Sequence, residues 1–120
     1  MAIRYQVRPV NYAGTVEFVS KMQADVENHT RKTNPIVDYG PFGRRLDPDK
    51  VTVEKDTAYY EGTTKGSHLT MACGSSHELW CDGQKVTDVN WMAEEGEMDT
   101  ISRVSLSAKE GKCVTLDKFI

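Results

Sequence analysis

The chain opens on a clean alternation. Ile3, Tyr5 and Val7 are separated by Arg4, Gln6 and Arg8, the period-two pattern of a half-buried strand, and Pro9 ends it. Past Asn11 and Gly14 the apolar positions are read at helical spacing. Thr15 is placed to cap a helix, Glu17 suits the positive end of its dipole, and Val16, Phe18, Val19, Met22 and Val26 fall on one side at about 100° per residue. The predicted helix runs to Arg31 or Lys32, where Asn34-Pro35 stops it, and its stripe is expected to lie on a sheet.

From Thr33 to Lys50 the chain carries Pro35, Pro41 and Pro48 with Gly40 and Gly43, which leaves little room for regular structure. Long connectors in compact domains are uncommon and often functional, and this one displays Tyr39, Phe42, Arg44 and Arg45. Val51 and Val53 open a β region that continues through Ala58, Tyr59 and Tyr60, as one strand or as two joined near Lys55-Asp56. Gly62 to Gly66 reads as a turn.

Between His68 and Asp88 the pattern predicts three strands in one register. Asp82-Gly83 is a strong hairpin signal, because a tight primed turn needs positive φ at both central residues; it pairs Cys81 with Gln84 and Leu79 with Val86, and carried two residues further it sets His77 opposite Asp88. Gly74-Ser75-Ser76 is read as a three-residue turn that pairs Cys73 with His77. Trp80 then falls on the face opposite Leu79, beside Lys85. Residues 91–99 read as an acidic loop or short helical turn, and Lys109-Glu110-Gly111 as the turn of a last hairpin that pairs Leu106 with Val114 and Val104 with Leu116. The expected fold is α+β, one main N-terminal helix packed on a curved, mainly antiparallel sheet or partly open barrel, with residues 1–120 forming a single domain.

Composition narrows the class. With 38% hydrophobic and 28% charged residues in 120, the chain is an ordinary globular one, and no apolar run approaches the length of about 20 residues that spans a bilayer. The N-terminus leads into a strand pattern instead of a signal peptide, so a soluble, cytoplasmic protein without membrane partners is expected. A net charge of −3 argues against nucleic acid as a partner, since such affinity rests on neutralising phosphates. The acidity sits in the second half, with 10 Asp/Glu against 6 Lys/Arg, compared with 8 against 9 in residues 1–60.

Three chemical readings follow. Cys73, His77 and Asp88, side by side across three strands, have the composition of a thiol nucleophile, a base and an orienting carboxylate, although a cysteine on a core face is more often a small hydrophobe. Cys73, His77 and Cys81, with His68 or His29 as a fourth ligand, lack the paired-cysteine spacing of zinc sites, and neither a metal nor another cofactor is expected. Exposed aromatic and arginine side chains anchor protein interfaces. Tyr39, Phe42, Arg44, Arg45 and Trp80, with an acidic patch at Glu94, Glu95 and Glu97, are therefore the candidate contacts. No phosphate loop, dinucleotide fingerprint or nucleophile elbow occurs. The functional expectation is a non-enzymatic module that binds another protein, such as an inhibitor or an immunity or anti-defence accessory protein of a phage or mobile element. The alternatives are a small thiol-dependent enzyme and a small-molecule-binding domain with its pocket between helix and sheet.

Overall fold

The computed structural model describes residues 1–25 and 46–120. These form nine strands: β1 (Ala2–Val7), β2 (Gly14–Gln23), β3 (Leu46–Glu54), β4 (Thr57–Thr64), β5 (Thr70–Cys81), β6 (Gln84–Val86), β7 (Trp91–Glu95), β8 (Asp99–Ala108) and β9 (Val114–Phe119). One sheet has the order β1-β9-β5-β4-β3, with β6 added to β5; the other has the order β2-β8-β7, and all pairings are antiparallel. The two sheets face each other as a sandwich. Leu79, Val114 and Leu116 come from the large sheet and Phe18, Val104 and Ala108 from the small one, and together they form the buried core.

The N-terminal helix is corrected to a strand. Gly14–Gln23 pairs residue for residue with Ala108–Asp99, so Val16, Phe18, Ser20 and Met22 face inward between Glu17, Val19 and Lys21. A period of two fits these positions at least as well as a helical stripe, and Val16, Val19 and Thr15 are β-branched, a class that packs well on a pleated surface. Residues 26–32 of that expected helix lie outside the described residues. Among the described residues no helix is present, and none is long and apolar enough to cross a membrane.

Two turns are also corrected. Gly74, Ser75 and Ser76 do not turn: they continue the 12-residue β5 and pair with Tyr59, Ala58 and Thr57 of β4. Ser75 is buried on the inner face, so the small residues reflect tight packing where a turn was expected. The last hairpin is absent because β8 and β9 belong to different sheets. Val104 lies opposite Phe18 and Trp91, Leu116 opposite Tyr5 and Leu79, and Gly111, at φ 72, sits in the connection between them. The acidic loop is largely strand β7, followed by a bend at residues 97–98.

β1 is a strand as expected, and Cys81 pairs with Gln84 through Asp82 at φ 51 and Gly83 at φ 83. β3 already begins at Leu46, within the expected connector, and the turn read at residues 62–66 is confined to residues 65–67, after β4. Of the two forms left open after Val51 the chain takes two strands that turn at Lys55-Asp56. Lys55 takes a positive φ of 53 there.

Leu79 is 2% exposed, at the junction of β5 with β6 and β9. Leu79→Ala is expected to cost about 2–5 kcal/mol, from lost burial plus the residual cavity, read as a lower urea midpoint at unchanged slope.

Candidate functional site

The expected trio of Cys73, His77 and Asp88 is not assembled. Cys73 and His77 are four residues apart along the same strand, where the rise alone separates their Cα atoms by about 13 Å, and β6 stops at Val86, which leaves Asp88 exposed beyond it. Cys73 is exposed, whereas His77 is 4% exposed. The error lay in the Gly74–Ser76 turn, since without it the two residues are no longer cross-strand neighbours.

His77 instead joins residues from three distant parts of the chain. Its Nδ1 lies 2.6 Å from the carbonyl oxygen of Asp56, which only accepts, so Nδ1 carries the proton. Nε2 of the neutral ring then accepts from Ser20 Oγ at 2.8 Å, and Ser20 Oγ also accepts from Lys118 Nζ at 2.9 Å. The ring packs on Trp91 with centroids 5.5 Å apart. Burial pushes the His77 pKa down and Lys118 adds to the effect, against opposing contributions from the Asp56 carbonyl and side chain. Burial also lowers the Lys118 pKa. This chain of donors ties β2, β5 and β9 across the sandwich and leaves the ring a neutral acceptor from the Ser20 hydroxyl.

The outer face of the large sheet carries the second cluster. Arg4 and Asp117 are directly opposite on β1 and β9, and the guanidinium grips the carboxylate through Nε and Nη2, both at 2.7 Å. Those bonds hold the Asp117 pKa below the usual carboxylate range against the opposing effect of burial, and the Trp80 indole N–H adds a smaller pull from outside strict hydrogen-bond geometry. One step along, Gln6 Nε2 donates to Thr115 Oγ1 at 3.2 Å, and Trp80 lies opposite both Thr115 and Lys85. The Lys85 ammonium stands 5.9 Å from the Trp80 ring centroid and bonds Glu78 at 2.6 Å. Asp82, paired with Lys112, is likewise held below the ordinary carboxylate range, chiefly by that bond.

A family model described as the glycosyl hydrolase family 65, N-terminal domain, matches residues 1–120. The chain belongs to this family. It is 29% identical over 119 residues, 99% of its length, to an alpha,alpha-trehalose phosphorylase of Thermoanaerobacter brockii, and 29% identical over 103 residues, 86% of its length, to an alpha,alpha-trehalose phosphorylase of Geobacillus stearothermophilus. The chain spans only 15% and 13% of the lengths of these relatives. Membership of a glycoside-cleaving enzyme family overturns the expectation of a non-enzymatic inhibitor or phage accessory protein. Composition and loop chemistry carry no signal that separates a binding module from a domain of an enzyme family.

Within this family-65 domain the proposed contact residues are scattered. Trp80 is on the face opposite Leu79, as its alternation predicts, and is partly buried. Glu94 is exposed and bonded to Arg103 at 3.3 Å, Glu95 is exposed and accepts from Thr52 at 3.2 Å, and Glu97 lies exposed in the bend. Tyr39, Phe42, Arg44 and Arg45 lie outside the described residues. Arg4, Gln6 and Asp117 were missed. Their signal was present in the polar half of the β1 alternation, but the partner strand is 113 positions away in the case of Arg4 and Asp117.

Because the folded state disfavours the charged His77 ring, the unfolded chain binds its proton more readily, and stability rises with pH up to about 6.5. Stability is therefore expected to fall as the pH drops from about 7 through that interval, and His77→Gln, which keeps one donor and one acceptor, is expected to flatten the slope. Urea midpoints collected between about pH 5 and 7 check this, and identical slopes in the two proteins would count against it.

Proposed function

We propose that this chain is the N-terminal portion of a longer enzyme that cleaves α,α-trehalose with inorganic phosphate, transferring a glucosyl group to the phosphate. The observation that carries the reading is the family match over residues 1–120, together with 29% identity to two alpha,alpha-trehalose phosphorylases of which it spans 15% or less. Breaking a glycosidic bond calls for a carboxyl group kept protonated near neutral pH to serve the leaving oxygen. The two described carboxylates with displaced titration, Asp82 and Asp117, are both displaced downward by neighbouring cations, the wrong direction for that role. Because the match is to the family's N-terminal domain and covers 15% or less of the relatives, the acid belongs in this reading to the remainder of the enzyme, with this sandwich as a scaffold for it.

The surface fits a scaffold with more chain packed on it. Ile3 and Tyr5 point to the core side of β1 yet are 46% and 61% exposed, and Met71, on the core side of β5, is 52% exposed. The Tyr5 ring meets the small sheet only edge-on at Phe18, with centroids 6.2 Å apart, and Met71 lies near the other end of β5, so apolar side chains are left uncovered at two separate places on the core side of the large sheet.

Two measurements test the reading. The natural polypeptide that carries this chain is expected to consume trehalose only when inorganic phosphate is supplied, releasing glucose and a glucosyl phosphate; hydrolysis without phosphate, or no action on trehalose, sinks it. Met71→Lys is expected to shift the stability of residues 1–120 by no more than about 0.5 kcal/mol, while lowering the melting temperature of the longer polypeptide.

A further inference from the structure

The outer face of the large sheet holds a concavity that the proposed scaffold role does not use. It has a volume of about 430 Å³, within the roughly 300–1,000 Å³ range of small-ligand sites, and opens where β1, β9 and β5 lie side by side. Trp80 contributes to its wall, with Arg4, Gln6 and Arg8 from the N-terminal strand and its end, and Asp82 and Thr115 from the remaining sides.

The chemistry of this lining selects the ligand. Arg4 is engaged by Asp117 and Lys112 by Asp82, and Arg8 acts on the same Asp82 carboxylate. An anion entering here would have to compete with carboxylates already in place, and it would lie beside Asp82, so free phosphate is disfavoured. A neutral polyhydroxyl compound faces no such competition. Two of the five N–H groups of Arg4 are spent on Asp117, which leaves three donors, and Gln6 spends one amide hydrogen on Thr115 while its carbonyl oxygen makes no side-chain bond among the described residues. Planar arrays of spare donors and acceptors match the vicinal hydroxyls of a sugar ring. An indole face supplies the apolar surface against which the ring C–H groups pack.

We propose that this concavity is a binding site for a neutral pyranoside, stacked on Trp80 and hydrogen-bonded by Arg4, Gln6 and Asp82. The choice of α-linked glucosides as probes rests on the proposed function; neutrality and stacking rest on the geometry alone.

The chain has two tryptophans, Trp80 in this site and Trp91 against His77, so their indole N–H resonances report the two places separately. Titration of residues 1–120 with trehalose or maltose to roughly 50 mM is expected to shift the Trp80 signal saturably and leave that of Trp91 in place, whereas inorganic phosphate shifts neither. Trp80→Ala is expected to abolish sugar binding, followed through backbone amide shifts. Gln6→Ala, at an exposed strand position where the fold tolerates change, is expected to weaken it at least about threefold, the worth of one neutral hydrogen bond. Saturation by phosphate alone, no saturable shift with either sugar, or unaltered affinity in Gln6→Ala overturns the site. Sugar-dependent Trp80 shifts in a protein whose longer form lacks phosphate-dependent trehalose cleavage would support the site and sink the functional reading; the reverse result would sink the site alone.

Discussion

Leu79, Val104 and Val114 meet at the centre of the sandwich with 2% or less of their surface exposed, and the rest of the structure depends on the period-two alternation that delivers them there. β5 carries this constraint furthest. Over 12 residues it pairs with β4, then with β9 and β6, and its odd-numbered positions keep to the core side, buried at Ser75, His77 and Leu79. Shifting it by one residue would put Trp80 and Glu78 in the core and Leu79 and His77 in solvent. The neighbouring strands hold the register because their own buried residues, Leu116 beside Leu79 and Ala58 beside Ser75, face the same way.

The interior is divided. Around Leu79 and Val104 it is apolar, while towards the Phe119 end of β9 it contains Ser20, His77 and Lys118, held by hydrogen bonds that reach both sheets. Buried polar groups are costly unless paired, and here each bond also specifies which strands sit opposite one another. The lowered His77 pKa follows from this setting: a charged ring would be desolvated beside an ammonium group. The same alternation presents the other side of the sheet, where Arg4, Asp117, Thr115 and Trp80 lie in adjacent rows. Core and outer surface are thus two consequences of one register, and substitutions that disturb the register are expected to affect both.

Family membership changes what the uncovered surface means. Ile3, Tyr5 and Met71 leave apolar surface uncovered on the core side of the large sheet, and under the proposed function this is where further chain of the enzyme would pack. Loop chemistry pointed to an inhibitor because aromatic and arginine residues were read as anchors for a separate partner. Contact with further chain of the same enzyme draws on the same residue types, and sequence patterning does not distinguish the two.

By itself the sequence determined the elements whose signals are local. β1 followed from strict alternation, and the Asp82-Gly83 hairpin with its Cys81–Gln84 and Leu79–Val86 pairs followed from the positive φ that only certain residues accept. The side on which Trp80 lies came from the same counting. What tertiary structure alone decided is everything set by distant pairing. Residues 14–23 carry apolar positions compatible with either period, and the ten-residue ladder with β8 selected the strand. Gly74-Ser75-Ser76 has the composition of a turn, yet its place between β4 and the core kept it extended. The Arg4–Asp117 and His77–Ser20–Lys118 groupings join residues up to 113 positions apart, and no local preference encodes them, because their energy appears only after the sheets have closed.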